Sequence, residues 1–72
     1  MRCDIWKDGT KIAAGLTPSK AARRLDIGVD DLRWAIEEHG RADDDRNRTA
    51  VPAGSADPGP LTEAMLEDYA AG

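Results

Sequence analysis

A chain of 72 residues with a net charge of −4 and only 4% aromatic residues forms one small domain. Such a core supplies no more than about 3 to 5 kcal/mol net, and the size leaves little room for an enzymatic pocket. No apolar run approaches the roughly 18 residues of a membrane span, no apolar signal segment opens the chain, and a lone Cys3 excludes an intramolecular disulfide framework. The expectation is a cytoplasmic protein of a bacterial host cell, with no cofactor, no metal and no enzymatic activity. Abundant Arg, Ala, Gly and Asp without phenylalanine points to a GC-rich bacterial or phage source.

The first expected element is a β-hairpin. Asp8-Gly9 is a strong two-residue hairpin loop, and the residues around it alternate. In that register Lys7 faces Thr10, Trp6 faces Lys11, Ile5 faces Ile12 and Cys3 faces Ala14. Cys3, Ile5, Ile12 and Ala14 then line one face, while Trp6 and Lys11 form a cation–π pair on the other. The competing reading makes residues 11–15 an extra helical turn. An isolated hairpin is marginal in water, so this one has to dock on something.

Residues 16–40, LTPSKAARRLDIGVDDLRWAIEEHG, then carry two helical patterns separated by Asp26-Ile27-Gly28. Thr17 is an N-cap with Pro18 at the first helical position; Ala21, Ala22 and Leu25 face inward and Lys20, Arg23 and Arg24 outward. A second helix from about Asp30 has Leu32, Ala35 and Ile36 inward, with Asp30 and Asp31 favoured in its first turn by the helix dipole. His39 and Gly40 end it. Trp34 lies off the centre of the inward stripe, so core packing and a partner-binding anchor both stay open.

Residues 17–40 resemble the N-terminal helix-turn-helix of small winged-helix regulators of the MerR and excisionase type. Ala22, Arg24, Leu25, Ile27, Leu32, Arg33, Trp34 and Gly40 occupy the corresponding places without an insertion. Two positions depart from that pattern. The family's turn glycine is Asp26 here, and the polar opening of its recognition helix is Gly28, Val29, Asp30 and Asp31. The resemblance implies duplex DNA as partner, with Arg33 in the major groove and Lys20, Arg23 and Arg24 on phosphates.

Beyond Gly40 the apolar periodicity lapses. Residues 42–60 read as an acidic linker or arm containing Pro and Gly, and Asp43, Asp44 and Asp45 as a solvated cluster, since consecutive spacing does not match a calcium loop; Arg46 and Arg48 screen those aspartates in an arm, the alternative being remnants of a wing that touches phosphate. Residues 61–72 read as an amphipathic acidic helix capped by Thr62, with Leu61, Met65, Leu66 and Tyr69 on one side and Glu63, Glu67 and Asp68 on the other. The expected whole is mainly α. It comprises a hairpin plus helix-turn-helix domain (1–41), the arm (42–60) and the terminal helix (61–72).

Charge bears on function. Residues 1–41 carry eight bases and seven acids, whereas 42–72 carry two bases and seven acids. A DNA-binding domain usually shows a clear basic surface. Two readings therefore compete: a DNA-binding regulator or excisionase-like accessory protein, and a phage-type protein that binds and inhibits a basic host protein through its acidic faces. An anti-CRISPR type inhibitor or a nucleic-acid mimic fits the second, with Asp30, Asp31, Trp34, Glu37, Glu63, Glu67 and Tyr69 as the contact residues. A minor phage structural or assembly component is a third reading, and a homodimer fits a domain this small.

Overall fold

The computed structural model describes residues 1–60. They form an α+β domain in the order β1 (Cys3–Lys7), β2 (Thr10–Leu16), α1 (Pro18–Leu25), α2 (Val29–His39), β3 (Ala42–Asp43) and β4 (Arg48–Pro52). The strands make one antiparallel sheet ordered β2-β1-β4-β3. The mainly helical fold expected from the sequence is thus overturned: two helices pack on one face of a four-stranded sheet. The terminal helix expected over 61–72 lies outside the described residues.

The β1–β2 turn is made by Asp8 at φ 50° and Gly9 at φ 80°, the left-handed pair that a two-residue hairpin needs. Register holds for Lys7–Thr10 and Trp6–Lys11, then slips twice, so that Ile5 faces Ala13 and Cys3 faces Leu16. Ile12 is pushed outward and stands 46% exposed, while Ala13 and Leu16 pack on the core in place of Ile12 and Ala14. The cause is Asp4. Its buried carboxylate accepts the Gly15 N–H at 3.0 Å and the Gly54 N–H at 2.9 Å, and pairs with Lys11 at 3.2 Å. A buried carboxylate needs those donors, and the bulge with Gly15 at φ 66° delivers one.

Local chemistry sets both helix boundaries. Thr17 Oγ1 accepts the Lys20 N–H, Pro18 opens α1, and Asp26 closes it in the left-handed region at φ 57°. The Ile27 N–H returns to the Ala22 carbonyl at 3.0 Å, which turns the chain directly into α2. Gly40 at φ 75° ends α2, its N–H donating to Ile36 O at 2.8 Å. Cys3, Ile5, Ala21, Ala22, Leu25, Leu32, Ala35, Ile36, Ala42 and Ala50 make the core between helices and sheet.

The largest departure from the sequence reading is in residues 42–60. Residues 42–52 are not a linker but half of the sheet, with β4 between β1 and β3. The β3–β4 turn is organised by Asp44, which accepts the N–H groups of Arg46 (2.8 Å) and Arg48 (2.9 Å) and the Arg48 Nε–H (2.6 Å), and by Asn47 at φ 63°. β4 hides its period because both of its faces are covered. Ala50 meets the helices, while Thr49 and Val51 are buried on the outer face of the sheet. That outer face is crossed by residues 53–60. Arg41, itself buried, grips Asp43 through two 2.8 Å hydrogen bonds and donates to the carbonyls of Pro58 and Gly59, also at 2.8 Å.

Candidate nucleic-acid interface

Three turns come together at one end of the molecule. The β1–β2 turn (Asp8, Gly9), the β3–β4 turn (Asp44, Asn47) and residues 57–60 line one open cleft of about 430 Å³. The α1–α2 turn (Leu25, Asp26, Ile27) and the β3–β4 turn (Asp43 to Arg46) line a second, of about 350 Å³. The cause is topological: β3 runs back from the end of α2, so the β3–β4 turn arrives beside the start of α2. Residues 18–52 thus place two helices joined by a short turn beside a β-hairpin, with the hairpin turn next to the α1–α2 turn.

Arg23 and Arg24 occupy the last turn of α1 and are exposed, as are Lys20 one turn earlier and Arg33 on α2. The structure separates two cations that the sequence reads together, as screening charges of an arm or remnants of a wing. Arg46 is exposed in the β3–β4 turn, whereas Arg48 is engaged by Asp44 at 2.6 Å. The apparent cluster Asp43–Asp45 is split in the same way. Asp43 belongs to Arg41, Asp44 belongs to Arg48, and Asp45 alone faces solvent. Burial works to raise the Asp44 carboxyl, but the Arg48 and Arg46 N–H groups and the Arg48 guanidinium outweigh it and hold it below the usual value. No group of three His, Cys, Asp or Glu side chains among the described residues is arranged to hold a metal ion.

The outward face of α2 carries Asp30, Arg33, Trp34 and Glu37, all exposed and opposite the buried Leu32, Ala35 and Ile36. Trp34 is 46% exposed, so its side chain is not part of the core. Its ring meets that of His39 edge to face at 5.5 Å. Asp31 is exposed too, and its Oδ2 leans back toward Gly28, where an added Cβ would lie 3.2 Å away. Glu63, Glu67 and Tyr69 lie outside the described residues.

The other candidates serve the fold. Cys3 is fully buried, and burial pushes its thiol above the ordinary value, away from the reactive thiolate. Asp4 is held below the usual carboxylate range by the N–H groups of Gly54 and Gly15, with Lys11 adding to them. Lys11 also sits over Trp6, 5.5 Å from the ring centroid. The Trp6 indole N–H is buried with no acceptor among the described residues.

Comparison with protein-family models, with curated proteins and with solved structures finds no match for this chain. Among the described residues no helix is long and apolar enough to cross a membrane.

Proposed function

We propose that this chain binds duplex DNA as a winged helix-turn-helix, with α2 in the major groove and the β3–β4 turn against the flanking backbone. The observation that carries this reading is the shared position of the α1–α2 and β3–β4 turns at the opening of α2. In such a unit the second helix enters the groove by its N-terminal end while neighbouring cations hold the phosphates. Arg33 is the groove residue. Lys20, Arg23, Arg24 and Arg46 supply the phosphate contacts, in agreement with the resemblance of residues 17–40 to MerR and excisionase-type regulators.

Fluorescence anisotropy with a labelled mixed-sequence duplex tests it. Four phosphate contacts give a salt exponent near −3.6, so affinity falls about 150-fold between about 50 and 200 mM salt. Arg33→Ala should remove most of the sequence-dependent part. Failure of the wild type to bind at about 50 mM salt, or unchanged affinity and selectivity in Arg33→Ala, refutes the reading.

One observation favours a second reading, a basic protein partner met through an acidic surface. At the end where the three turns meet, Asp8, Asp26, Asp30, Asp31, Asp45 and Asp57 have no ion pair among the described residues, against Lys7, Arg23, Arg24 and Arg46. Such a surface suits a site that otherwise binds nucleic acid. This reading expects no duplex affinity, and a salt-sensitive protein complex that is lost in Asp30→Asn/Asp31→Asn.

A further inference from the structure

The carboxylates on α2 are the features least suited to a phosphate surface, and they occur where base edges would be read. Asp30, Arg33, Trp34 and Glu37 recur at spacings of three, four and seven residues, so they form one outward stripe over two turns of α2. Neither Asp30 nor Arg33 enters an ion pair with another described residue. Both charges are therefore available to a ligand, and the positive end of the helix dipole stabilises Asp30 in the first turn.

We infer that this stripe selects G·C base pairs, Arg33 donating to the O6 and N7 acceptors of guanine and Asp30 accepting from the N4 amino group of cytosine. The inference rests on the duplex reading above and names the sequence class of that same site. The chemistry excludes the alternatives one by one. A carboxylate can only accept, and the major groove offers two amino donors, on cytosine and on adenine. In adenine the amino group sits beside the N7 acceptor, whose lone pair repels a carboxylate; in cytosine the neighbour on the same ring is a C–H. Guanine and thymine present acceptors and no donor in this groove. A guanidinium one helical turn away has the opposite requirement, which the guanine edge meets with two acceptors.

The arrangement also accounts for the charge pattern. Carboxylates facing the duplex repel phosphates at every sequence, which lowers nonspecific affinity, and the loss is recovered only where a cytosine amino group meets them. Trp34, half exposed between them, supplies apolar surface to the same edge.

The test is selection of binding sites from a pool of random-sequence duplexes, run in parallel with the wild type and Asp30→Asn. The amide side chain introduced in the variant carries a donor as well as an acceptor and matches adenine N6 and N7. The wild type should enrich a site with a fixed guanine and a fixed cytosine, and replacing that cytosine should weaken binding about tenfold. Asp30→Asn should bind mixed-sequence duplex more tightly and exchange the preference at that one position from cytosine to adenine. An enriched site that is identical for both proteins, or that contains no required G·C pair, overturns the inference and leaves the duplex reading standing. Absence of any enriched site for the wild type, together with no low-salt affinity, overturns both.

Discussion

Removing the guanidinium of Arg41 should nearly unfold the domain. Arg41 is 4% exposed and its partner Asp43 is almost as deeply buried; the pair is joined by two 2.8 Å hydrogen bonds, and Arg41 also donates to the carbonyls of Pro58 and Gly59. Arg41→Met keeps much of the side-chain volume but leaves a buried carboxylate without its cation. Breaking one side of such a pair costs about 3 to 5 kcal/mol. A core this small supplies no more than about 3 to 5 kcal/mol net, so most or all of it is lost. Arg41→Met/Asp43→Leu removes both charges and should recover part of the loss; about 2 kcal/mol remains for the two carbonyls deprived of a donor. Urea unfolding followed by far-ultraviolet circular dichroism and by tryptophan fluorescence measures each variant. If residues 42–60 were a solvated arm, Arg41→Met would be silent. A single variant within about 0.5 kcal/mol of wild type, the range of an ordinary surface substitution, refutes the assignment of this segment to the fold.

Acid should destabilise the protein through Asp4 and Asp44, both of which titrate below the ordinary 3.8 in the folded chain. As pH falls the unfolded chain takes up these protons first. Their contribution is therefore complete well above the ordinary value and is lost as pH drops through it toward the lower folded-state values. Unfolding midpoints should be flat above about pH 5 and fall below about pH 4, less steeply in Asp44→Asn, and equal acid slopes in the two proteins would contradict this. Gly40→Ala meets no neighbour within 4 Å but must hold φ at 75°, so it should cost about 1 kcal/mol from backbone strain alone in the same urea assay. Leu32→Ala empties a fully buried site and should cost about 2 to 5 kcal/mol.

The parts of the fold written in local chemistry were legible in the sequence. Thr17-Pro18, Asp26-Ile27-Gly28 and Gly40 each carry their instruction within a few residues, and the Asp8-Gly9 loop fixed the start of the first hairpin. What was hidden depends on partners distant in the chain. The bulges of β2 follow from Asp4, whose second backbone donor, Gly54, is 50 residues away. β4 is covered on both faces, so Thr49, Ala50 and Val51 lack the alternation that marks a half-buried strand. Of the candidate interface, the exposed Lys20, Arg23, Arg24 and Arg33 could be read from helical spacing. For Arg46 the sequence leaves a wing and a screened arm as alternatives, because its place is set by the sheet pairing that brings the β3–β4 turn beside the α1–α2 turn. The neutralisation of Asp43 and Asp44 by Arg41 and Arg48, which leaves Asp45 as the exposed carboxylate of that run, could not be read from the sequence.

The central claim is that one end of this domain, the opening of α2 with the β3–β4 turn, meets duplex DNA. The two tryptophans report on different surfaces, Trp34 on the outward face of α2 and Trp6 in the cleft that it lines with residues 57–60. Titrating isotope-labelled protein with a mixed-sequence duplex at about 50 mM salt, where phosphate contacts are strong, and following amide and indole N–H resonances tests the claim directly. The account predicts shifts at Asp30, Arg33, the Trp34 indole and Arg46, with the Trp6 indole unmoved. Resonances that stay in place throughout, or shifts confined to Trp6 and residues 57–60, would contradict it.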